Sequence, residues 1–472
     1  MSFKQVIAIT LLAALLPLST AQAEVKWPYV RDTEFGGYGY DTQGATGAQK
    51  VAMDGQDAIV AITTAVPGTD EVDVELLRYG ANGALKPWGT AAGSPTHLPV
   101  LPLGSIHSIL AVQDLKIDAR GNIHLLLDVR LAGKSNSDVW MRSMRPNGTV
   151  YGTADVYSAS SNQRGGQIMV EGDRLYTLAT GAGFIQLSAW LIDNGQPPVL
   201  DTAWGNNGRQ SHLLLLCRTA SLPVTLCPVQ PTHLARIPRP FTFPPSPQLG
   251  FYIGGSVTIN RNTPVNDDLF LLKLDANGAR VSSFGDNGVV TWGTDDERMA
   301  GMQVLSTGTF LSGTHDILAL SAMDRVCGEG IIITRRSSSD GSQISRTFTH
   351  GGSGSGTSCD SIQAKDMVLA GSNRVAVVGT YVPSVLLEKN SAMLLTFNTD
   401  ALNDSQDVQK MLGGGSAVTA PSYGFNAVAR DFEGKRLMAV GSGSHFMVGG
   451  SQRVALIAAL KEKPLFSDGF ED

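Results

Sequence analysis

"LFLLKLDANGARVSSFGDNG", Leu269 to Gly288, runs from apolar pairs into Asp275-Ala276-Asn277-Gly278 and then into Phe284-Gly285 with a second Asn-Gly at Asn287-Gly288. Such a stretch reads as a metal loop, a catalytic loop or one unit of a repeat. The chain itself favours the repeat, because the same phrase is spelled loosely as "VELLRYGANGALKPWG" (Val74 to Gly89) and "LSAWLIDNGQPPVLDTAWGNNG" (Leu187 to Gly208).

Working outward, an apolar run followed by Asn-Gly or a near relative occurs at Asn82-Gly83, Asn147-Gly148, Asn194-Gly195, Asn277-Gly278 and Asp340-Gly341, with weaker counterparts at Asp400 and Lys461. The spacing is a noisy period near ~60 residues. An earlier strand precedes each marker, among them "DAIVAITTA", "GNIHLLLDV", "GDRLYTLAT" and "NRVAVVGTY", with β-branched and small residues bounded by Gly, Asn and Asp. The Asn-Gly pairs are expected to form two-residue type I′ hairpins, since both central residues of that turn need positive φ. Units of about 60 residues with three or four short strands and no helical period describe propeller blades. The predicted fold is therefore all-β, a single β-propeller of seven blades. "DTEFGGYGYD" (Asp32 to Asp41) matches the end of the repeat phrase, whereas the last unit stops after "VALIAAL" without it. An N-terminal strand is expected to join the last blade and close the ring.

The combination of a Gly-Lys-led apolar strand, an apolar-Leu-x-Leu-x-x-Asn-Gly hairpin and a Ser-Phe-Gly-x-x-Gly close resembles the delta-60 repeat family of bacterial β-propellers, best at Phe270 to Val290. The resemblance implies a propeller scaffold and lends no catalytic residue, cofactor or metal ligand.

The first 23 residues, with Lys4, an apolar run from Val6 to Leu16, Pro17 and small residues at Ala21 and Ala23, read as a secretory signal peptide. The apolar run is too short for a transmembrane span, which needs about 20 residues. The propeller then occupies 24–463, and "PLFSDGFED" at 464–472 is an acidic-aromatic tail. Export to a periplasmic or extracellular, oxidising compartment favours pairing of the four cysteines. Of the three pairings, Cys217–Cys227 and Cys327–Cys359 are the local ones; no Cys-x-x-Cys or Cys/His cluster speaks for zinc. A proline-rich excursion, 209–248, is not explained by the repeat.

Chemistry is harder to find. A formal net charge of −6 without a basic cluster argues against nucleic acid. Asp275-Ala276-Asn277-Gly278 lacks the further acidic ligands of a calcium loop. "HGGSGSG" at His350 to Gly356 lacks the Gly-Lys-Ser/Thr of a phosphate loop. The eight histidines are scattered, with no HxH or HExxH pair. No catalytic, cofactor or metal residue is assigned. The expected function is a monomeric, exported, non-enzymatic scaffold that binds a protein, a glycan or a cell surface. The alternative is a propeller hydrolase, lyase or oxidoreductase working at the channel mouth. Fold cannot choose between them; convergence of polar side chains from three or more blades would identify a site.

Overall fold

The computed structural model describes residues 29–462 apart from 37–39, 90, 92, 101–106, 193–195, 215–228, 239–249, 260–265, 294–295, 308–313, 324–328, 351–359, 371–373, 385–388, 401, 403–408, 414–420, 432–434 and 448–449. The described residues form seven antiparallel sheets of four or five strands and no helix. The quoted stretch supplies most of the third strand of the fourth sheet and the turns leading to the last; the strands are Val229–Arg236, Phe251–Ile259, Asn266–Leu274 and Val289–Trp292. Leu269, Phe270, Leu271 and Leu272 are all buried although alternate side chains leave opposite faces. Both faces of the sheet are therefore covered, which is why its central strands read as continuous apolar runs.

What covers them is the neighbouring sheets. The first strand of every sheet touches the first strands of the sheets before and after it, and Ser422–Arg430 of the seventh returns to Gly47–Asp54 of the first. The described core divides into seven apolar clusters, one in each gap between adjacent sheets. This is a closed seven-bladed propeller. Because each blade adds a new layer, the chain escapes the limit of about 250–300 residues on a single core.

Closure follows the sequence expectation. The seventh blade draws three strands from its own unit, Ser422–Arg430, Arg436–Met447 and Gly450–Glu462. Two outer strands, Tyr29–Arg31 and Tyr40–Gln43, come from the other end of the chain and both pair with Gly450–Glu462. The third blade repeats this arrangement within one unit: Val199–Leu200 and Arg209–Leu213 both pair with Phe184–Leu191, on either side of the Trp204 loop. Phe35 holds the matching place in the closing segment and is fully buried. Lys461, read as a weak turn marker, instead lies in the closing strand opposite Val30. The unit ends there and its strand partner is the N-terminal segment.

The turns differ from the expectation. At Asp275 to Ala279 the hairpin has three loop residues, closed by Asp275 N–H to Ala279 O at 2.7 Å and Gly278 N–H to Asp275 O at 3.0 Å. Positive φ is confined to Gly278, at +78°, as in the three-residue hairpin with a left-handed glycine. Asparagine serves by its side chain instead: Asn82 Oδ1 accepts from Ala84 N–H at 3.1 Å and Asn147 Oδ1 from Thr149 N–H at 3.0 Å. Two-residue turns with positive φ at both central residues do occur, but at the second Asn-Gly of the phrase, Asn207-Gly208 and Asn287-Gly288. Asn194-Gly195 lies outside the described residues.

The two halves of the phrase are joined across the ring. A Cβ built on Gly278 would lie 2.7 Å from the Trp204 ring of the preceding blade, and Trp204 Nε1 donates to Ala276 O at 2.8 Å. Trp88 faces Gly148, Phe284 faces Gly341 and the closing Phe35 faces Gly83 in the same way. The aromatic residue of one unit thus packs on the turn glycine of the next.

Two described segments of the proline-rich excursion belong to the ring. Arg209–Leu213 is an outer strand of the third blade and Val229–Arg236 is the first strand of the fourth. Pro231 is tolerated there because it sits at a bulge. His212 is buried, and burial together with the Arg280 guanidinium pushes it down to about 4 from its ordinary 6.5. As pH falls from about 6.5 toward 4, the unfolded chain takes up a proton that the folded chain refuses, so stability is lost in that window. At full effect the loss is about 3 kcal/mol. His212→Gln is expected to flatten that part of a denaturant-derived stability–pH curve; an unchanged slope would place His212 outside the packed ring. Cys217, Cys227, Cys327 and Cys359, residues 1–23 and residues 464–472 all lie outside the described residues.

Candidate functional site

The seven first strands meet around a central channel enclosing a cavity of about 470 Å³. They share one irregularity that period-two reading cannot reveal. Each loses register with its second strand at least once along its length, for example between Ala48 and Lys50, Pro231 and His233, Ala364 and Asp366, and Phe425 and Ala427. The remaining three do so between Val112 and Asp114, Gly165 and Ile168, and Met299 and Gly301. A bulge inserts an extra residue and re-aims the side chains around it. Here it interrupts strands that would otherwise alternate and sets polar groups on the channel wall.

Some of these groups tie the blades together. Asp114 accepts Leu115 N–H at 2.9 Å and, across the junction to the third blade, Ile168 N–H at 2.8 Å. Asp366 does the same between the sixth and seventh blades, with Met367 N–H at 2.7 Å and Val428 N–H at 2.9 Å. Gln167 accepts Leu234 N–H at 2.7 Å, Gln303 donates to Met367 O at 2.9 Å, and Asn426 donates to Ala48 O at 3.0 Å. Backbone groups freed at a bulge and buried at a blade junction would be costly without such partners.

Others are cations, and all but one face the cavity without an ion-pair partner among the described residues. Lys50, Lys116, Arg164, Lys365 and Arg430 line it from five different blades, against the two carboxylates Asp114 and Asp366. Lys116 reaches Asp114 at 3.4 Å; among the described residues no ion pair is formed by Lys50, Arg164, Lys365 or Arg430. His233 also lines the cavity, its Nδ1 2.7 Å from Thr232 Oγ1. The residue is half-buried in the channel wall. That burial, with Lys50 and Lys116 nearby, pushes its pKa down to about 3, against a hydrogen bond to the Ala300 backbone. Burial likewise raises Asp366 above the usual carboxylate range, opposed by Val428 N–H and Lys50.

A second cavity of about 520 Å³ adjoins the channel at Arg164, Thr180 and Gln230, on the face carrying the loops between second and third strands. Asp128 borders it; burial pushes its carboxyl up to about 6, although Gly165 N–H, Gln113 and Arg164 favour the charged form.

The remaining sequence candidates stay apart. The Asp275 carboxylate is occupied by Asn277 N–H at 2.9 Å and Ala279 N–H at 2.8 Å, a turn cap. His124 is buried beside Ser143 and Asp118, His315 meets the Tyr252 hydroxyl, and His97 meets Glu75. No cluster of three or more His, Cys, Asp or Glu suited to a metal occurs among the described residues, and no described helix is long and apolar enough to cross a membrane. Sequence reading missed the channel residues. Their signal was a charged or amide pair inside an apolar strand, Gln49-Lys50, Gln113-Asp114 or Lys365-Asp366.

No protein-family model and no curated protein matches the chain. Among solved structures it is similar to the Nup133 β-propeller domain of Vanderwaltozyma polyspora, at 9% identity over 89% of this chain and 97% of that one, TM-score 0.43. It is also similar to the β-propeller domain of the trilobed protease from Pyrococcus furiosus, at 8% identity over 92% of this chain and 99% of that one, TM-score 0.39. A third is polysaccharide lyase Uly1, at 10% identity over 89% and 91%, TM-score 0.43. Likenesses this distant carry nothing about function.

Proposed function

We propose that the protein is an exported propeller of the delta-60 type that binds its ligand in the central channel without chemically changing it. One observation carries this reading: polar side chains from all seven blades converge on one channel cavity, while its two carboxylates are engaged by backbone N–H groups of adjacent blades. Carboxylates held in that way fasten blades together, and a general base needs free access to the proton it removes. His233, the histidine in its lining, is held neutral among cations. The signal-like first 23 residues support export, and the four cysteines would then be paired.

The test is mass spectrometry of the mature protein, residues 24–472, under native conditions after incubation with a low-molecular-mass extract. Retention of one compound at 1:1, recovered unchanged, is expected. Steady conversion of a compound by the folded protein and not by the denatured one would overturn the binding reading in favour of an enzyme.

A further inference from the structure

We propose that the channel is a site for a small polyanion, a compound carrying two or more carboxylate or phosphate groups. The inference deepens the binding function above and rests on it. The chain as a whole has 36 Lys and Arg against 42 Asp and Glu, a formal charge of −6. Its channel inverts that balance: five cations against two carboxylates give 5 − 2 = +3. Composition alone does not produce such a concentration.

Neutralisation within the protein is also incomplete. Asp114 and Asp366 each spend both oxygens on backbone N–H groups, and only Lys116 of the five cations has an ion-pair partner among the described residues. Holding like charges in an enclosed space of lowered dielectric is unfavourable unless a counter-charge enters. The bulged strands hold these side chains on the channel wall whether or not a ligand is present, so the site is already formed.

Position within the strands argues for more than one anionic group. Arg164 is the second residue of Gln163–Glu171, Lys50 and Lys365 are mid-strand in Gly47–Asp54 and Ser361–Leu369, and Arg430 ends Ser422–Arg430. Lys50 and Lys116 both act on His233 and on Asp366, and Lys365 directly precedes Asp366 in its strand; three cations thus stand close together, more positive charge than one carboxylate or phosphate neutralises, with Arg164 and Arg430 nearer the strand ends. The cavity of about 470 Å³ is of small-molecule size, which sets a compact polyanion above an anionic polymer.

The experiment is isothermal titration calorimetry of the mature protein at fixed ionic strength with citrate, pyrophosphate, inorganic phosphate and, as neutral control, glucose. Citrate or pyrophosphate is expected to bind 1:1 and at least tenfold more tightly than phosphate, with glucose silent. Lys365→Met is expected to weaken that binding about tenfold, and Lys50→Met with Lys365→Met about a hundredfold, as for lost charge-assisted contacts. Without ligand the double variant is expected to melt at a higher temperature than the parent, because repulsion is relieved; that readout also verifies folding. If no anion binds better than glucose, or the lysine variants bind citrate and pyrophosphate as the parent does, the inference falls. A neutral compound retained unchanged in the native mass spectra would then leave the binding function standing without the polyanion.

Discussion

Gly278→Val is expected to destabilise the protein by roughly 3–6 kcal/mol, and Gly133→Val by only about 1–3 kcal/mol. The two glycines share a conformation, with φ of +78° and +79°, so both substitutions force a β-branched residue into the left-handed region. They differ in what surrounds them. An added Cβ at Gly278 meets the Trp204 ring at 2.7 Å, whereas at Gly133 nothing lies within 4 Å. The difference between the variants therefore isolates the aromatic contact between blades. Trp204 also meets Tyr176 and Phe251 edge-on, at 5.7 and 6.1 Å between ring centroids. Trp204→Ala is accordingly expected to cost about 3–5 kcal/mol. Equal costs at Gly278 and Gly133, measured by urea unfolding, would show that the aromatic-to-glycine contact does not hold adjacent blades together.

Removing residues 24–43 is expected to have the larger effect: no cooperative unfolding transition near room temperature. The deletion strips both outer strands from Gly450–Glu462 and removes Phe35 from the gap between the seventh and first blades. It also takes away Asp32, which lies 3.3 Å from both Arg436 and Lys461. The loss exceeds the usual stability margin of 5–15 kcal/mol, because an unpaired edge is added to an emptied core gap. Tyr29 stands directly opposite Glu462 in an antiparallel pair. A permuted chain in which a short turn after residue 462 leads into residues 29–43 is therefore expected to fold as an ordinary blade and regain the transition. A truncated chain that unfolds like the parent would mean that the ring does not depend on this closure.

The sequence made the scaffold legible where local chemistry repeats. Apolar second and third strands, turn glycines and closing aromatics are each dictated by a contact that recurs from blade to blade, as Trp204 on Gly278 and Phe284 on Gly341 do. The turn class was misread because Asn-Gly suits two hairpins. In Asp275 to Ala279 the asparagine helps to fill a three-residue loop, whereas Asn207-Gly208 and Asn287-Gly288 take the two-residue form. "RQSHL" and "VQPTHLAR" read as an excursion because the first lies outside a closing phrase and the second carries a proline; pairing with Phe184–Leu191 and Phe251–Ile259 makes both part of the ring. The channel left a single trace in the sequence, a charged or amide pair inside an apolar strand. Its strands bulge, so alternation fails where Gln49-Lys50 and Lys365-Asp366 occur. Its charge is gathered from five blades whose closest approach only the closed ring creates.

The most direct test of an electropositive channel is the ring titration of His233 by NMR in residues 24–472, with the resonance assigned by His233→Gln. Burial and the neighbouring Lys50 and Lys116 hold this imidazole at about 3 instead of 6.5, with Thr232 Oγ1 at 2.7 Å and the Ala300 backbone as its other partners. Between pH 8 and pH 5 the resonance is expected to stay that of the neutral ring. Addition of citrate should move the apparent pKa upward, because a bound anion offsets the two lysines. A histidine that titrates near 6.5, with the same curve in the presence and absence of citrate, would contradict both the charge of the channel and its role in binding.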